Sequence, residues 1–343
     1  MPGLRPTTAM LVASVLALGT ACGVTQAPAA APEAGSPDAT TTQGTPATAA
    51  TPPNEPAASS PLPTAPLATP SAQLSAAAVT ELPGGGTTIF GGKTYVALYG
   101  FPGSRALGVL GEQGTAATVT RAKKAAAKYR PYTKRTVVPA LEIIATVASA
   151  YAGPDKDYSA EATIETLRPL VDAAGKAGVY VVRDLQPGRS SFLSQAKRYQ
   201  ELLMEPHVGL ALDPEWRLKP NQKHLRQIGS VDVAEVNQVA DWLATMTRTA
   251  GLPQKMLLLH QFRTSMIHHR SALDTDHPEL AFAVQMDGQG GQGAKQETWA
   301  AIRRHAPSRV VFGWKNFYDE DHPMLSPKAT MRIKPQPRWV SYQ

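Results

Sequence analysis

Asp213 and Glu215 are separated by one residue at the end of the apolar run "VGLAL", in the stretch "HVGLALDPEWRL" (residues 207–218). Two carboxyl groups this close cannot both ionise easily. One is pushed to keep its proton near neutral pH and can donate it, while the other stays charged and can stabilise a cationic centre. This is the division of labour that hydrolysis of a glycosidic bond requires. Asp184 ends "VYVVRDLQ" and Asp287 ends "LAFAVQMDG", so acids recur at corresponding places along the chain. Strand ends also carry acids simply because strands end at solvent, and a lone D-x-E arises often by chance.

What must position these groups is a repeated alternation. Short apolar runs of the kind buried on both faces are "TYVALYGF" (94–101), "PALEIIATVA" (139–148), "VYVVRDLQ" (179–186), "VGLALDPEW" (208–216), "KMLLLHQF" (255–262), "LAFAVQMDG" (280–288) and "RVVFGWKNF" (309–317), with "WVSY" (339–342) as an eighth. Amphipathic stretches lie between them, among them "TAATVTRAKKAAAKY", "SAEATIETLRPLVDAAGKAG" and "VAEVNQVADWLATMTRTAG". Ser159 reads as a helix start, and Gly178 and Gly251 as stops. Alternating strand and helix gives an α/β class with parallel strands. Eight units over residues 86–343 suit a (β/α)8 TIM-like barrel, with an eighth unit that lacks its final helix and makes closure the weak point. A doubly wound open sheet is the alternative.

In a barrel, chemistry gathers at the C-terminal ends of the strands. Those ends carry Tyr99, Glu142, Asp184 with Gln186, Asp213 with Glu215 and Trp216, His260 with Gln261 and Arg263, Gln285 with Asp287, and Trp314 with Lys315 and Asn316. The period of two along a strand sorts them further. Gly209, Ala211, Asp213 and Glu215 fall on one face and Leu210 and Leu212 on the other; Ala281, Ala283, Gln285 and Asp287 oppose Phe282, Val284 and Met286; Tyr95, Ala97 and Tyr99 oppose Val96 and Leu98. The first face of each strand suits the barrel interior. Asp184, Asp213, Glu215 and Asp287 are then the catalytic candidates. Tyr99, Trp216 and Trp314 would offer flat faces to sugar rings, and Gln186, Gln261, Arg263, Gln285, Lys315 and Asn316 would bond hydroxyls or an acidic substituent.

With "LALDPEW" at the end of the fourth run, the domain resembles the glycoside-hydrolase barrels that carry a D-x-E there, notably the family 18 chitinases and family 25 lysozymes. The resemblance covers the domain's rhythm and that motif. It implies Glu215 as general acid, Asp213 as its partner and Asp287 as a sixth-strand acid. Two positions depart from the pattern. Ala211 stands where the longer chitinase motif has a further Asp, and Tyr99 and Gly100 stand where the lysozyme-type barrels have a first-strand Asp. The chain is set beside these families, as a related or convergent barrel, and not within either.

Other motifs carry less. "GQGGQG" (288–293) has the G-x-G-x-x-G spacing of a dinucleotide loop, but it comes too late in the chain for such a domain to follow, so it reads as a loop beside Asp287 and no cofactor is expected. "HHR" (268–270) and "DTDH" (274–277) lack metal-site spacing, and no metal is expected. No G-x-S-x-G occurs; "PGRSS" (187–191) reads as a helix cap through Ser190 or Ser191, and "YDEDHP" (318–323) as a solvated turn.

Residues 1–22 read as an export signal, because Arg5 precedes a short apolar stretch that is too brief to span a bilayer. Cys22, the one cysteine, follows small residues as in a bacterial lipobox, which implies lipidation; an ordinary secretory signal is the alternative. A single cysteine excludes an intramolecular disulfide. Residues 23–85 are rich in Pro, Ala, Thr and Ser and cannot bury enough apolar surface to fold, so they read as a disordered tether. The chain has 34 Lys and Arg against 27 Asp and Glu, a net charge of +7, and Arg5 is the only base before residue 86. The folded part therefore favours anionic surroundings, without any nucleic-acid-binding motif to suggest that partner. Together these features point to an exported protein, held on the outer face of the membrane by a lipid, that hydrolyses a cell-envelope glycan. A non-catalytic glycan-binding protein on the same scaffold is the rival reading.

Overall fold

The computed structural model describes residues 81–343. The expected export signal, Cys22 and residues 23–80 of the expected tether lie outside the described residues. Among those described, no helix is long and apolar enough to cross a membrane.

Eight parallel strands close into a barrel. They are β1 (Lys93–Phe101), β2 (Thr136–Ala148), β3 (Tyr180–Leu185), β4 (Val208–Leu212), β5 (Lys255–Gln261), β6 (Leu280–Met286), β7 (Val311–Asn316) and β8 (Trp339–Tyr342). Each pairs with the next, and β8 pairs back onto β1 with Tyr95 beside Trp339 and Leu98 beside Tyr342. Closure removes both sheet edges and excludes the open-sheet alternative. The "WVSY" run is enough to close the ring, with no helix needed after it.

The helices on the outside are α1 (Thr115–Ala127), α2 (Ile164–Lys176), α3 (Phe192–Arg198), α4 (Gln200–Leu203), α5 (Val233–Thr249), α6 (Gln292–Arg303) and α7 (Pro327–Thr330). Ser191 caps α3 by accepting from the Ser194 N–H at 3.1 Å. Gly178 and Gly251 follow α2 and α5 at φ +68° and +60°, as their reading as stops requires. Ser159 does not start a helix. It lies in a short strand, Ser159–Glu161, antiparallel to the end of β2, and α2 begins after Thr163, whose hydroxyl accepts from the Thr166 N–H.

The two faces of the strands form two separate apolar layers. Val96, Leu98, Leu210, Leu212, Phe282, Val284 and Met286 join the helices in the outer layer. Tyr95, Ala97, Val138, Ala140, Tyr180, Val182, Ala211, Met256, Leu258, Ala281, Ala283 and Trp339 fill the interior. Leu82 and Ile89, on the segment leading into β1, are buried against this inner cluster, so ordered packing begins slightly before residue 86. Gly209 is required by crowding: a Cβ there would lie 2.7 Å from the Tyr180 hydroxyl and 2.8 Å from the Met256 carbonyl. Aromatic and aliphatic groups thus fill the lower interior, and the upper interior is left to polar side chains.

"YDEDHP" is not simply a solvated turn. Asp321 is buried, forms an ion pair with Lys295 of α6, and accepts from the Phe317 N–H at 3.0 Å and the Gly290 N–H at 3.1 Å. This one carboxylate ties the "GQGGQG" loop to the chain after β7. Removing one partner of a buried pair leaves the other charge uncompensated. Lys295→Met is expected to lower the unfolding free energy by about 3 kcal/mol in a denaturant titration; an unchanged midpoint and slope would show that the pair does not hold these loops.

Candidate functional site

Above the Tyr95, Tyr180 and Trp339 layer, seven barrel strands and the residues that follow them project ionisable groups inward. β1 supplies Tyr99, β2 Glu142, β3 Asp184, β5 His260 and β7 Lys315, while Asp213 follows β4 and Asp287 follows β6. All are buried. The register explains the convergence: Tyr99 lies beside Glu142 and Lys315 beside Ser341, each on the strand face that also carries the interior residues.

His260 is the centre. Its Nε2 lies 2.6 Å from Glu142 Oε1 and its Nδ1 2.7 Å from Asp287 Oδ2, with Asp184 Oδ1 at 4.0 Å and Asp213 Oδ2 at 3.9 Å. A ring nitrogen facing a carboxylate donates to it, so this geometry suits the doubly protonated imidazolium. Burial opposes that charge, but Asp184, Glu142 and Asp287 outweigh burial and hold the ring well above the usual histidine range.

Lys315 is the second cation. Its ammonium sits 2.9 Å from Asp287 Oδ1 and 3.6 Å from the centre of the Tyr99 ring. Burial again opposes the charge, and Asp287 and Glu142 more than restore it. Asp287 is therefore gripped on both oxygens. Against the cost of burial, Lys315 and His260 keep it ionised below the ordinary aspartate range.

The other acids behave in the opposite sense. Burial raises Asp184 to about 6, with His260 pulling the other way. Burial also raises Asp213 well above its usual value, again with His260 opposing. Tyr99 is held neutral by burial and by Asp184, donates its O–H to Asp184 Oδ2 at 2.9 Å, and accepts from Gln186 Nε2 at 3.2 Å. Gln186 is fixed in turn through its Oε1, which accepts from the Ala148 N–H.

Glu215 reaches this cluster by a route the strand pattern does not describe. β4 stops at Leu212, and Pro214–Trp216 turns as a short 3-10 helix with Asp213 Oδ1 accepting from the Glu215 N–H at 3.2 Å. The two acids are not successive residues on one strand face. Glu215 is half-buried, at the mouth above the fully buried groups. Burial and the charge of Asp287 raise it to about 7, while Lys315, His260 and Arg263 pull it down. Arg263 is exposed, and Trp216 is half-buried with its ring 5.3 Å from that of His224.

Four of the expected contact residues sit elsewhere or deeper. Trp314 and Asn316 have the strand parity opposite to Lys315. Trp314 packs in the outer layer against Trp299 of α6, with ring centres 5.7 Å apart, and donates its indole N–H to Asn316 Oδ1 at 3.1 Å. Gln261 has the parity of Leu257 and Leu259; its Oε1 accepts from Arg270 and its Nε2 donates to the Arg263 carbonyl. These three leave the set that faces the mouth. Gln285 does point inward, but it is fully buried and accepts from the Ser341 hydroxyl at 3.3 Å.

Conversely, His260 and Glu142 appear among the strand ends without a role, although they form the central bond. In "KMLLLHQF" the face shared by Met256, Leu258 and His260 would have placed the ring inward.

Asp184, Asp213 and His260 also offer ligand atoms within 4.8 Å of one another. Both His260 nitrogens are already engaged by Asp287 and Glu142, and Lys315 sits against Asp287, so no ring lone pair is free for a cation in this arrangement. The residues present do not fit a metal without rebuilding these bonds.

No family model and no curated protein matches the chain. Among solved structures, it is similar to a xylanase and alpha-amylase inhibitor protein from Scadoxus multiflorus, at 12% identity and TM-score 0.41, covering 73% of this chain and 92% of that one. It is also similar to D-psicose 3-epimerase from Clostridium cellulolyticum H10, at 12% identity and TM-score 0.37, covering 72% and 84%. The barrel assignment rests on the strand pairing itself.

Asp184 and Glu215 keep their protons to higher pH when folded than they would in an unfolded chain. Between roughly pH 4 and 7 the folded state thus binds more protons, and these groups make stability fall as pH rises. His260, raised when folded, acts in the same direction at higher pH. Asp287, lowered when folded, contributes stability that is lost only in stronger acid. Thermal melts at pH 5 and pH 8 are expected to show a smaller decline with pH in Asp184→Asn and Glu215→Gln than in the wild type. Parallel pH profiles would contradict the assigned shifts.

Proposed function

We propose that the barrel is a glycoside hydrolase acting on a cell-envelope polysaccharide, with Glu215 as its general acid. The observation that supports this most is the contrast between two neighbouring carboxyls. Glu215, at the mouth, keeps its proton up to about pH 7, while Asp287 is held ionised by Lys315 and His260. Glu215 would protonate the oxygen of the departing sugar as the glycosidic bond breaks, and Asp287 would stabilise the positive charge that develops at the anomeric carbon; water then adds to that carbon, and the proton it releases replaces the one Glu215 gave. The expectation that Asp213 is the partner changes for a physical reason. Burial holds Asp213 well above the usual range, whereas Lys315 and His260 keep Asp287 below it, so Asp287 is the charged group.

Glu142 touches neither Glu215 nor the mouth, and in this reading it is a positioning residue that keeps His260 turned toward Asp287. Tyr99 and Gln186 hold Asp184 in place through Tyr99. The export signal, the Cys22 lipobox and the long tether support an envelope location. They are consistent with a catalytic domain held by a lipid at the outer face of the membrane and reaching the wall polymer from there.

Glu215→Gln is expected to lower kcat on a cleavable envelope glycan by about a thousandfold while leaving the circular dichroism spectrum unchanged. In the wild type, the alkaline limb of the rate profile should fall near pH 7. Specific binding with no turnover across a panel of purified envelope glycans would favour the non-catalytic glycan-binding alternative and defeat the hydrolytic reading.

A further inference from the structure

The loop after β4 is built unlike the rest of the mouth. From Leu218 to Ser230 it contains no acidic residue but carries Lys219, Lys223, His224 and Arg226. Lys219, Lys223 and Arg226 are exposed, and none forms an ion pair among the described residues.

The loop is nevertheless held in place. Its backbone bridges Gly188 through Arg217, the Leu218 N–H donates to the Gly188 carbonyl at 2.6 Å, and the Arg189 guanidinium donates to the Gln222 carbonyl at 2.8 Å. The Gly229 N–H returns the loop to the Glu215 carbonyl at 2.7 Å. His224 Nε2 donates to the Tyr158 carbonyl at 2.7 Å, and its ring stands between Trp216 and Tyr158 at 5.3 and 6.4 Å. Arg189 caps Tyr158 at 4.3 Å. The result is a half-buried aromatic ledge that starts one residue from Glu215, bordered by free cations.

We infer that this ledge and the basic loop form a binding lip for an acidic glycan strand, with a sugar ring lying on Trp216, which His224 and Tyr158 back, while its anionic substituents meet Lys219, Lys223 and Arg226. This deepens the hydrolytic reading and rests on it for the identity of the polymer as a substrate. Aromatic faces suit the C–H surfaces of sugar rings, and unpaired cations that are not spent on protein acids attract anions at little desolvation cost. Phosphate and carboxylate substituents share this chemistry.

Binding to phosphomannan and to polygalacturonate is compared with binding to uncharged mannan and to methyl-esterified polygalacturonate, at physiological salt so that diffuse attraction is screened. The wild type is expected to bind at least one acidic polymer about tenfold more tightly than its uncharged counterpart, and Lys219→Gln/Lys223→Gln/Arg226→Gln to lose that preference. A control, Lys123→Gln/Lys124→Gln/Lys128→Gln on the exposed face of α1, removes the same charge elsewhere and should bind like the wild type. Which polymer binds identifies the acidic group. No preference for either acidic polymer, or an equal loss in the α1 variant, would overturn the lip. Cleavage is followed in the same samples: tight acidic binding without cleavage would leave the lip standing and count against hydrolysis, whereas cleavage of the uncharged polymers with no acidic preference would do the reverse.

Discussion

The interior of this barrel depends on how His260 is held. The imidazolium bonds to Glu142 on one side and Asp287 on the other, and with Lys315 it supplies the positive charge among five carboxyl groups. Buried carboxylates without such partners would cost several kcal/mol each or take up protons. Both outcomes occur here. Asp287 is paired and stays charged, while Asp184, Asp213 and Glu215 are raised by burial. One central cation thus sorts chemically similar side chains into a charged group and proton holders.

The fold makes this sorting possible by position alone. Parallel strands in a closed ring bring Tyr99, Glu142, Asp184, His260 and Lys315 to one level, and the lower interior is sealed by Tyr95, Tyr180 and Trp339. Bonds from Gln186 to Tyr99 and from Tyr99 to Asp184 fix the side of the site built on β1 and β3. The short turn at Pro214 lifts Glu215 out of the strand and places it above the buried groups, at the mouth, where a substrate can meet it.

Much of this was legible in the sequence, because a period of two is strict inside a sheet. The interior and helix-facing sets of β1, β4 and β6 follow directly from "TYVALYGF", "VGLAL" and "LAFAVQM", and "WVSY" forms the closing strand at its expected place. The same rule, applied to β5 and β7, would have moved Gln261, Trp314 and Asn316 to the outer layer and His260 inward. The remainder was not available from periodicity. Proline at position 214 ends the strand, so Glu215 is placed by a turn; Ser159 pairs with β2 because a neighbouring strand edge overrides the helix signal. The pairing of Asp321 with Lys295 joins distant residues, and no local pattern encodes it.

The central claim is that Glu215 is a neutral carboxyl near pH 7 beside an ionised Asp287. The most direct measurement is a titration of the Glu215 side-chain carboxyl by carbon-13 NMR, in the wild type and in Asp287→Asn. The Glu215 midpoint is expected near 7 in the wild type and lower once the neighbouring charge is removed. A wild-type midpoint close to that of an exposed glutamate, or one that does not move in Asp287→Asn, would contradict it.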